Sequence, residues 1–95
     1  MGKVMISGPI SNVPGNNREL FNYAAHYYRK QGHDVFNPAE LEDGHDYHWY
    51  LQRCLEALEG CQYLVQLPGW EDSNGACVEY ECAVDLGLEV VPWKG

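Results

Sequence analysis

Four short apolar runs alternate with three segments of helical pattern, and this alternation limits the possible folds more than any other feature of the sequence. Turn-forming residues end each run, so the runs are predicted to be strands at Lys3–Ser7, His33–Phe36, Tyr63–Leu67 and Leu88–Pro92. They are too short and too uniformly apolar for a sheet with one face in water. The order β-α-β-α-β-α-β therefore predicts a parallel sheet with right-handed crossovers.

Capping and stop residues set the expected bounds of the three helices. They are Asn16 and Gly32 for the first helix, Asp46 and Gly60 for the second, and about Ala76 and Leu86 for the third. Asn16 with Glu19 resembles a capping box. We predict one α/β domain over residues 1–95, with three layers and a four-stranded parallel sheet of flavodoxin-like order 2-1-3-4.

The charge and the aromatic content limit the partners. Six basic residues stand against fourteen acidic ones, for a net charge of −8, so the chain lacks the basic stripe that a nucleic-acid polymer requires. Twelve aromatic residues are many for 95 residues to bury alone. We therefore expect a homodimer, with Tyr47, Trp49 and Tyr50 of the second helix as its contact face.

The cysteine and histidine spacings predict neither a metal site nor a cofactor. The four Cys form no C-x-x-C pair and are interpreted as small buried hydrophobes in a reducing compartment. His45 and His48 are three residues apart, with Asp43 and Asp46 nearby, but such a cluster in a polar loop is usually solvated, and a metal site needs further ligands at fixed geometry. No signal peptide and no apolar run of membrane-spanning length is visible, so the expected location is cytoplasmic, with no membrane partner.

In a parallel sheet of this kind, ligands bind at the carboxyl ends of the strands. The loops 8–17, 37–46 and 68–74 gather there and are rich in Gly, Pro, Asn, Asp and Ser. In Ser7-Gly8-Pro9, Gly8 either lets a ligand approach the backbone or forms a plain strand-ending turn. Arg18, in the first turn of a helix, indicates a phosphate or an acidic partner, or is simply solvated. Trp70 walls a pocket or is partly buried in the core.

The candidate catalytic and anion-binding residues lie at the junction of the third loop and the third helix. Ser73, Gly75 and Ala76 stand where free helix N–H groups can hold an anion. Glu79 shares a helix face with Ala76 and Ala83, whereas Glu81 lies roughly 200° around the helix and should face water. Glu79 is either a functional carboxylate beneath the anion site or a first-turn acid favoured by the helix dipole.

Three segments together resemble a known family. They are Lys-Val-Met-Ile-Ser-Gly-Pro-Ile at 3–10, Gly-His-Asp-Val-Phe-Asn-Pro-Ala-Glu at 32–40, and Pro-Gly-Trp-Glu-Asp-Ser-Asn-Gly-Ala-Cys-Val-Glu at 68–79. The chain resembles a group of small phage and bacterial proteins of unknown function. That group is related to nucleoside 2-deoxyribosyltransferases and deoxynucleoside 5′-monophosphate N-glycosidases.

The resemblance implies a nucleoside deoxyribosyltransferase-like domain and assigns roles to individual residues. Glu79 matches the nucleophile that attacks C1′ of the sugar. Ser73 and Gly75 match residues that contact the 5′ end or phosphate, and Gly8 matches a glycine against the ligand. The partner is then a nucleoside or nucleotide, and a neighbouring subunit completes the site.

The chain departs from the enzymes at Met5, Cys54 and Gln62, which stand where the resemblance places Tyr, a catalytic Asp and another Asp. Asp72 or Glu40 is the candidate to replace the missing catalytic acid, which acts on the leaving base in the enzymes. Two functional hypotheses follow: a nucleotide N-glycosidase or deoxyribosyltransferase, and a catalytically degenerate binder that sequesters a nucleotide or nucleotide-derived signal. A structural or interaction module is the third.

Overall fold

A four-stranded, fully parallel sheet forms the centre of the protein, and a computed structural model describes residues 2–11 and 13–94. The strands are β1 (Lys3–Ser7), β2 (Asp34–Phe36), β3 (Tyr63–Gln66) and β4 (Glu89–Pro92), in the order β2-β1-β3-β4. The predicted α/β fold and the predicted strand order are confirmed. Three residues lie outside the described ones: Met1 at the start of the predicted domain, Asn12 in its first loop and Gly95 in its tail.

Three α-helices cover the two faces of the sheet: α1 (Arg18–Lys30), α2 (Tyr47–Leu58) and α3 (Asn74–Leu86). Short 3₁₀ turns occupy Pro14–Asn17, Pro38–Glu40 and Trp70–Asp72. Alternate strand residues form two buried clusters because successive side chains point to opposite faces. Val4, Ile6 and Val65 pack with α1, while Met5 and Leu64 pack with residues of α2 and α3. No helix among the described residues has the length and apolar character needed to cross a bilayer.

Side-chain caps fix the starts of α2 and α3. The Asp46 carboxylate accepts a hydrogen bond from the backbone N–H of Trp49 at 2.9 Å, which confirms the predicted cap. The Ser73 hydroxyl accepts from the N–H of Ala76 at 3.3 Å, so α3 begins at Asn74, two residues before the predicted start. Ser73 therefore orients the loop at the end of β3 relative to the first turn of α3.

The predicted capping box at Asn16 and Glu19 is wrong. Asn16 and Asn17 both adopt left-handed backbone angles, with φ of 55° and 58°, and the residue before α1 is Asn17. Its side chain caps no helix N–H group. Instead, Asn17 Nδ2 donates to the carbonyl oxygen of Pro9 at 3.0 Å, which ties the loop after β1 to the start of α1. Asparagine tolerates the left-handed region, and here that tolerance shapes the loop.

Gly8 lies where the end of β1 passes the end of β3 at very close range. A Cβ atom on Gly8 would lie 2.7 Å from Cβ of Leu67, which is fully buried. The close packing of the two strand ends therefore requires glycine here, whether or not a ligand also approaches this backbone.

We predict that Gly8→Ala lowers the free energy of unfolding by about 1–3 kcal/mol, because the added methyl overpacks a closed core position. Urea unfolding at neutral pH measures the change. Gly60→Ala is the matched control, since its Cβ would come no closer than 3.8 Å to another atom. Equal stability of the two variants would show that the strand ends can separate without cost.

Candidate active site

A cavity of about 430 Å³ opens at the carboxyl edge of the sheet, where the sequence places the three loops. The end of β1, the start of α1, the loop before α2, one side of α2 and the first turns of α3 form its wall. This volume lies within the range typical of small-molecule sites. The lining includes Gly8, Ile10, Ser11, Asn16, Arg18, Phe21, Pro38, Ala39, Leu41, Asp43, Gly44, His45, Tyr47, Tyr50, Leu51, Cys54, Ser73, Gly75, Ala76 and Glu79.

Glu79 is the buried acid of this cavity. Its side chain projects from α3 toward the sheet and the residue is 7% exposed. Ser7, the last residue of β1, donates its hydroxyl proton to Glu79 Oε1 at 2.6 Å. Burial raises the pKa of Glu79 from 4.5 to about 7, although hydrogen bonds from Ser7 and Cys54 act in the opposite direction. The carboxyl group therefore changes its charge close to neutral pH.

Cys54 of α2 lies on the other side of this carboxyl group. Its thiol is buried, and burial is the main reason why its pKa is raised, followed by the negative charge of Glu79 and a hydrogen bond to it. Cys54 is therefore a neutral thiol that supports the carboxylate as a weak donor. A thiol with a raised pKa is neither a nucleophile nor an efficient general acid at neutral pH.

Most of the residues singled out in the sequence come together at this cavity. Those that line it are Gly8, Arg18, Ser73, Gly75, Ala76 and Glu79. Ser7 lies beneath them and is joined to Glu79 by its hydroxyl. The face shared by Ala76, Glu79 and Ala83 is buried, and Glu81 is exposed, as the helical spacing predicts.

Four other candidates do not line the cavity. Glu40 is exposed and receives two hydrogen bonds from Arg29, at 2.7 and 2.8 Å, and the Arg29 hydrogen bond lowers the pKa of the carboxyl group. Trp70 packs against Tyr80 with ring centroids 5.1 Å apart. Asp72 lies exposed in the 3₁₀ turn before α3, and Pro9 uses its carbonyl oxygen to hold Asn17.

An exposed ion pair stands at the cavity wall. Arg18 Nη2 contacts Asp43 Oδ1 at 2.9 Å, joining the start of α1 to the loop before α2. From its sequence context, Asp43 was expected only to be a solvated acid of the loop. The available signal was Arg18 itself, because a cation in the first turn of a helix is unfavourable without an anionic partner.

Aromatic residues of α2 form part of the wall, a role that their sequence pattern does not predict. Tyr47, Tyr50 and Cys54 lie on one stripe of α2, and all three line the cavity. A Cβ on Gly75 would lie 3.4 Å from the Tyr47 ring, so Tyr47 covers the first turn of α3.

The loop before α2 is attached to that helix. Tyr50 donates its hydroxyl proton to the carbonyl oxygen of Glu42 at 2.7 Å. The rings of His45 and Trp49 stack with centroids 3.6 Å apart and 10° between their planes. This wall is thus built as one unit with α2.

No group of three or more His, Cys, Asp or Glu within residues 2–11 and 13–94 is arranged to hold a metal ion.

The fold is similar to that of two 2-deoxyribosyltransferases and a CMP N-glycosidase. The 2-deoxyribosyltransferase of Leishmania mexicana superposes with a TM-score of 0.77 at 14% identity, over 98% of this chain and 64% of that one. The 2-deoxyribosyltransferase of Bacillus psychrosaccharolyticus superposes with a TM-score of 0.72 at 19% identity, over 95% of this chain and 70% of that one. The CMP N-glycosidase of Clostridium botulinum superposes with a TM-score of 0.68 at 15% identity, over 95% of this chain and 69% of that one. The present chain thus spans less than two thirds of the length of the Leishmania protein.

Among curated proteins, no sequence matches this chain significantly. The sequence does match the family described as "Domain of unknown function (DUF4406)" over residues 2–92. The resemblance drawn from the three sequence segments, to an uncharacterised family related to these enzymes, is confirmed. Because the match spans nearly the whole chain, the protein belongs to the DUF4406 family.

Proposed function

We propose that the protein cleaves the N-glycosidic bond of a nucleoside or nucleotide, with Glu79 as the nucleophile. The observation that carries this proposal is a single buried contact. Glu79 faces a cavity of ligand size while Ser7 holds one of its oxygens at 2.6 Å. A buried carboxyl group is rarely retained for stability alone, and perturbed acids in cavities are candidates for function.

The chemistry proceeds in two steps. Glu79 in its ionised form attacks C1′ of the sugar, so that an ester bond to the carboxylate forms while the bond from C1′ to the base nitrogen breaks. The base leaves with the bonding electrons and takes up a proton. Water, or an N–H nitrogen of a second base, then attacks C1′, gives up one proton in place of the one that the first base took up, and releases the carboxylate. Water as the acceptor gives an N-glycosidase, and a second base gives a transferase.

The start of α3 supports binding of the 5′ end of such a ligand. Ser73, Gly75 and Ala76 line the cavity, and the first turn of a helix presents N–H groups and a partial positive charge. Glu79 follows one turn later on the same face. A sugar held by its 5′ end at this turn brings C1′ toward the carboxylate.

Cys54 favours a second candidate, a protein that binds a nucleotide or nucleotide-derived signal without turnover. The group beside Glu79 is a thiol with a raised pKa, which is a poor acid for protonating the departing base. Glu40 and Asp72, the proposed replacements, do not line the cavity. In this second function, the same cavity and the same carboxyl group hold the ligand intact.

A homodimer through the start of α2 is part of the proposal. Tyr47 is 48% exposed beside the cavity, so a subunit packed on this helix would cover an aromatic surface and narrow the cavity mouth. Light scattering at micromolar concentration tests this, and a monomer mass would remove the dimer from the proposal.

We expect Glu79→Gln to abolish base release from a panel of deoxynucleosides and deoxynucleotides, because the amide keeps the shape but is not a nucleophile. Nucleotide binding should stay within about tenfold, a change of roughly 1.4 kcal/mol. Chromatography of the released base and calorimetry measure the two effects. Glu81→Gln, an exposed acid two residues away, is the matched control and should behave as wild type.

A slow 2′-fluoro substrate should leave a covalent adduct on Glu79, detected by intact mass and peptide mapping. Base release by Glu79→Gln at the wild-type rate would disprove the nucleophile assignment. Binding of nucleotides without release from any member of the panel would favour the sequestration function instead.

We expect Glu79→Gln to stabilise the protein increasingly as the pH rises. The pKa of Glu79 is higher in the folded protein, so its contribution to stability is fully present below about pH 4.5 and is lost as the pH rises through about 7. Gln does not ionise and escapes this loss. The gain should grow from about 1 kcal/mol at pH 5 to about 3 kcal/mol at pH 8.

Urea unfolding of wild type, Glu79→Gln and Glu81→Gln across this pH range measures the effect. The difference between pH values is the readout, since any constant effect of the amide cancels. A gain that does not depend on pH would mean that Glu79 ionises normally in the folded protein.

A further inference from the structure

Gln66, the last residue of β3, is a buried amide whose donor is unused. The buried polar side chains of the described residues are Ser7, Asn37, Gln66 and Glu79. Asn37 donates to Asn22 and accepts from the N–H of Ala39, and Ser7 and Glu79 bond to each other. Gln66 Nε2 has no hydrogen-bond partner among the described residues. Such a donor is costly, and native proteins contain few of them.

The sheet places this amide beside the contact between Ser7 and Glu79. Ser7 and Gln66 are partners in register on the adjacent strands β1 and β3. Each lies two residues after a member of the cluster under α2 and α3, Met5 on β1 and Leu64 on β3, so both side chains project to that face. Glu79 reaches the same face from α3.

The Ser7 hydroxyl can accept a further hydrogen bond. It has one proton, which it donates to Glu79 Oε1, and its oxygen keeps two acceptor lone pairs. Neighbouring strands lie about 4.8 Å apart, and glutamine is long enough to turn its amide toward a partner in register on the next strand. The amide donor without a partner and the hydroxyl with free acceptor capacity therefore belong to residues side by side on one face of the sheet.

We propose that Gln66 is a positioning residue for Glu79: as the carboxylate ionises, its Nε2 group, which has no partner in this structure, turns to donate to Ser7 Oγ and thereby directs the hydroxyl proton of Ser7 at the carboxylate. The role of this relay in catalysis rests on the proposed function, whereas the relay itself does not. The three groups then form a line in which every donor points toward the negative charge. Aligned hydrogen bonds in a buried site strengthen one another, so the relay favours the charged form of Glu79.

The relay matters because the other groups named around the Glu79 carboxyl group carry no positive charge. Cys54 approaches from α2 and Ser7 from β1, and both act against the effect of burial. Cys82 lies on α3 itself, and its pKa is raised mainly by burial, with smaller contributions from the negative charges of Asp85, Glu59 and, last, Glu79. Neither Cys54 nor Ser7 carries a positive charge. Support for the carboxylate in the closed site therefore depends on neutral donors, and Gln66 adds one to them.

The test is an NMR titration of Glu79 that does not depend on turnover. The ¹³C carboxyl signal of Glu79 is followed in wild type, Gln66→Met and Gln62→Met. Met keeps the length of the side chain and removes the amide. Gln62, which is exposed and accepts from the N–H of Lys3 at 2.6 Å, is the matched control. The pH at the midpoint of the Glu79 titration should rise by about half a pH unit or more in Gln66→Met and stay unchanged in Gln62→Met.

A second measurement uses the wild-type protein alone. The side-chain ¹⁵N–¹H signals of Gln66 should shift with the same midpoint as Glu79, because the relay forms as the carboxylate ionises. An unchanged Glu79 midpoint in Gln66→Met, or Gln66 signals that do not follow the titration of Glu79, would overturn the relay. Absence of base release would count against the proposed function only, since neither NMR readout requires it.

Discussion

The burial of one carboxyl group between a strand end and two helices is the constraint on which the site depends. Glu79 is held away from water by α2, α3 and the sheet, and the Ser7 hydroxyl is its closest polar partner at 2.6 Å. A buried carboxylate without a counter-charge is unfavourable, so the surrounding residues must be rigid to keep it in place. The strand ends meet this requirement, because Gly8 and Leu67 approach too closely for any side chain larger than hydrogen.

The parallel sheet explains why these groups meet although they are far apart in sequence. Ser7 and Glu79 are separated by 72 residues, and Gln66 belongs to a third segment. Strands of one direction bring all their carboxyl ends to one edge, and each crossover helix begins near that edge, so that its free N-terminal N–H groups lie there. The cavity lies at the position where β1 and β3 run side by side, with their following segments diverging to opposite faces of the sheet.

The fold was predictable from the sequence because its signals are local and repeated. Alternating apolar runs and helical stripes fixed the order of elements, and Asp46 marked the start of α2 correctly. The Asn16 cap failed because asparagine serves equally well as a helix cap and as a left-handed loop residue, and only the contact between Asn17 and Pro9 distinguishes the two. The set of residues at the cavity was partly predictable, since Glu79, Ser73 and Gly75 belong to one continuous segment. Local pattern did not identify the neighbours of Glu79: Cys54 was singled out only through the family resemblance, and Gln66 carries no pattern that separates it from an ordinary core position.

The ion pair between Arg18 and Asp43 makes ligand entry a competition. An anion that binds Nη2 of Arg18 displaces the Asp43 carboxylate, which is already in contact with that atom at 2.9 Å. A singly charged anion replaces like with like and gains little, because exposed pairs of this kind are worth at most about 1 kcal/mol. A phosphate group carries close to two charges at neutral pH and gains more from the same exchange. At its cavity wall, this acidic chain of net charge −8 thus carries a carboxylate that a doubly charged anion displaces more readily than a singly charged one.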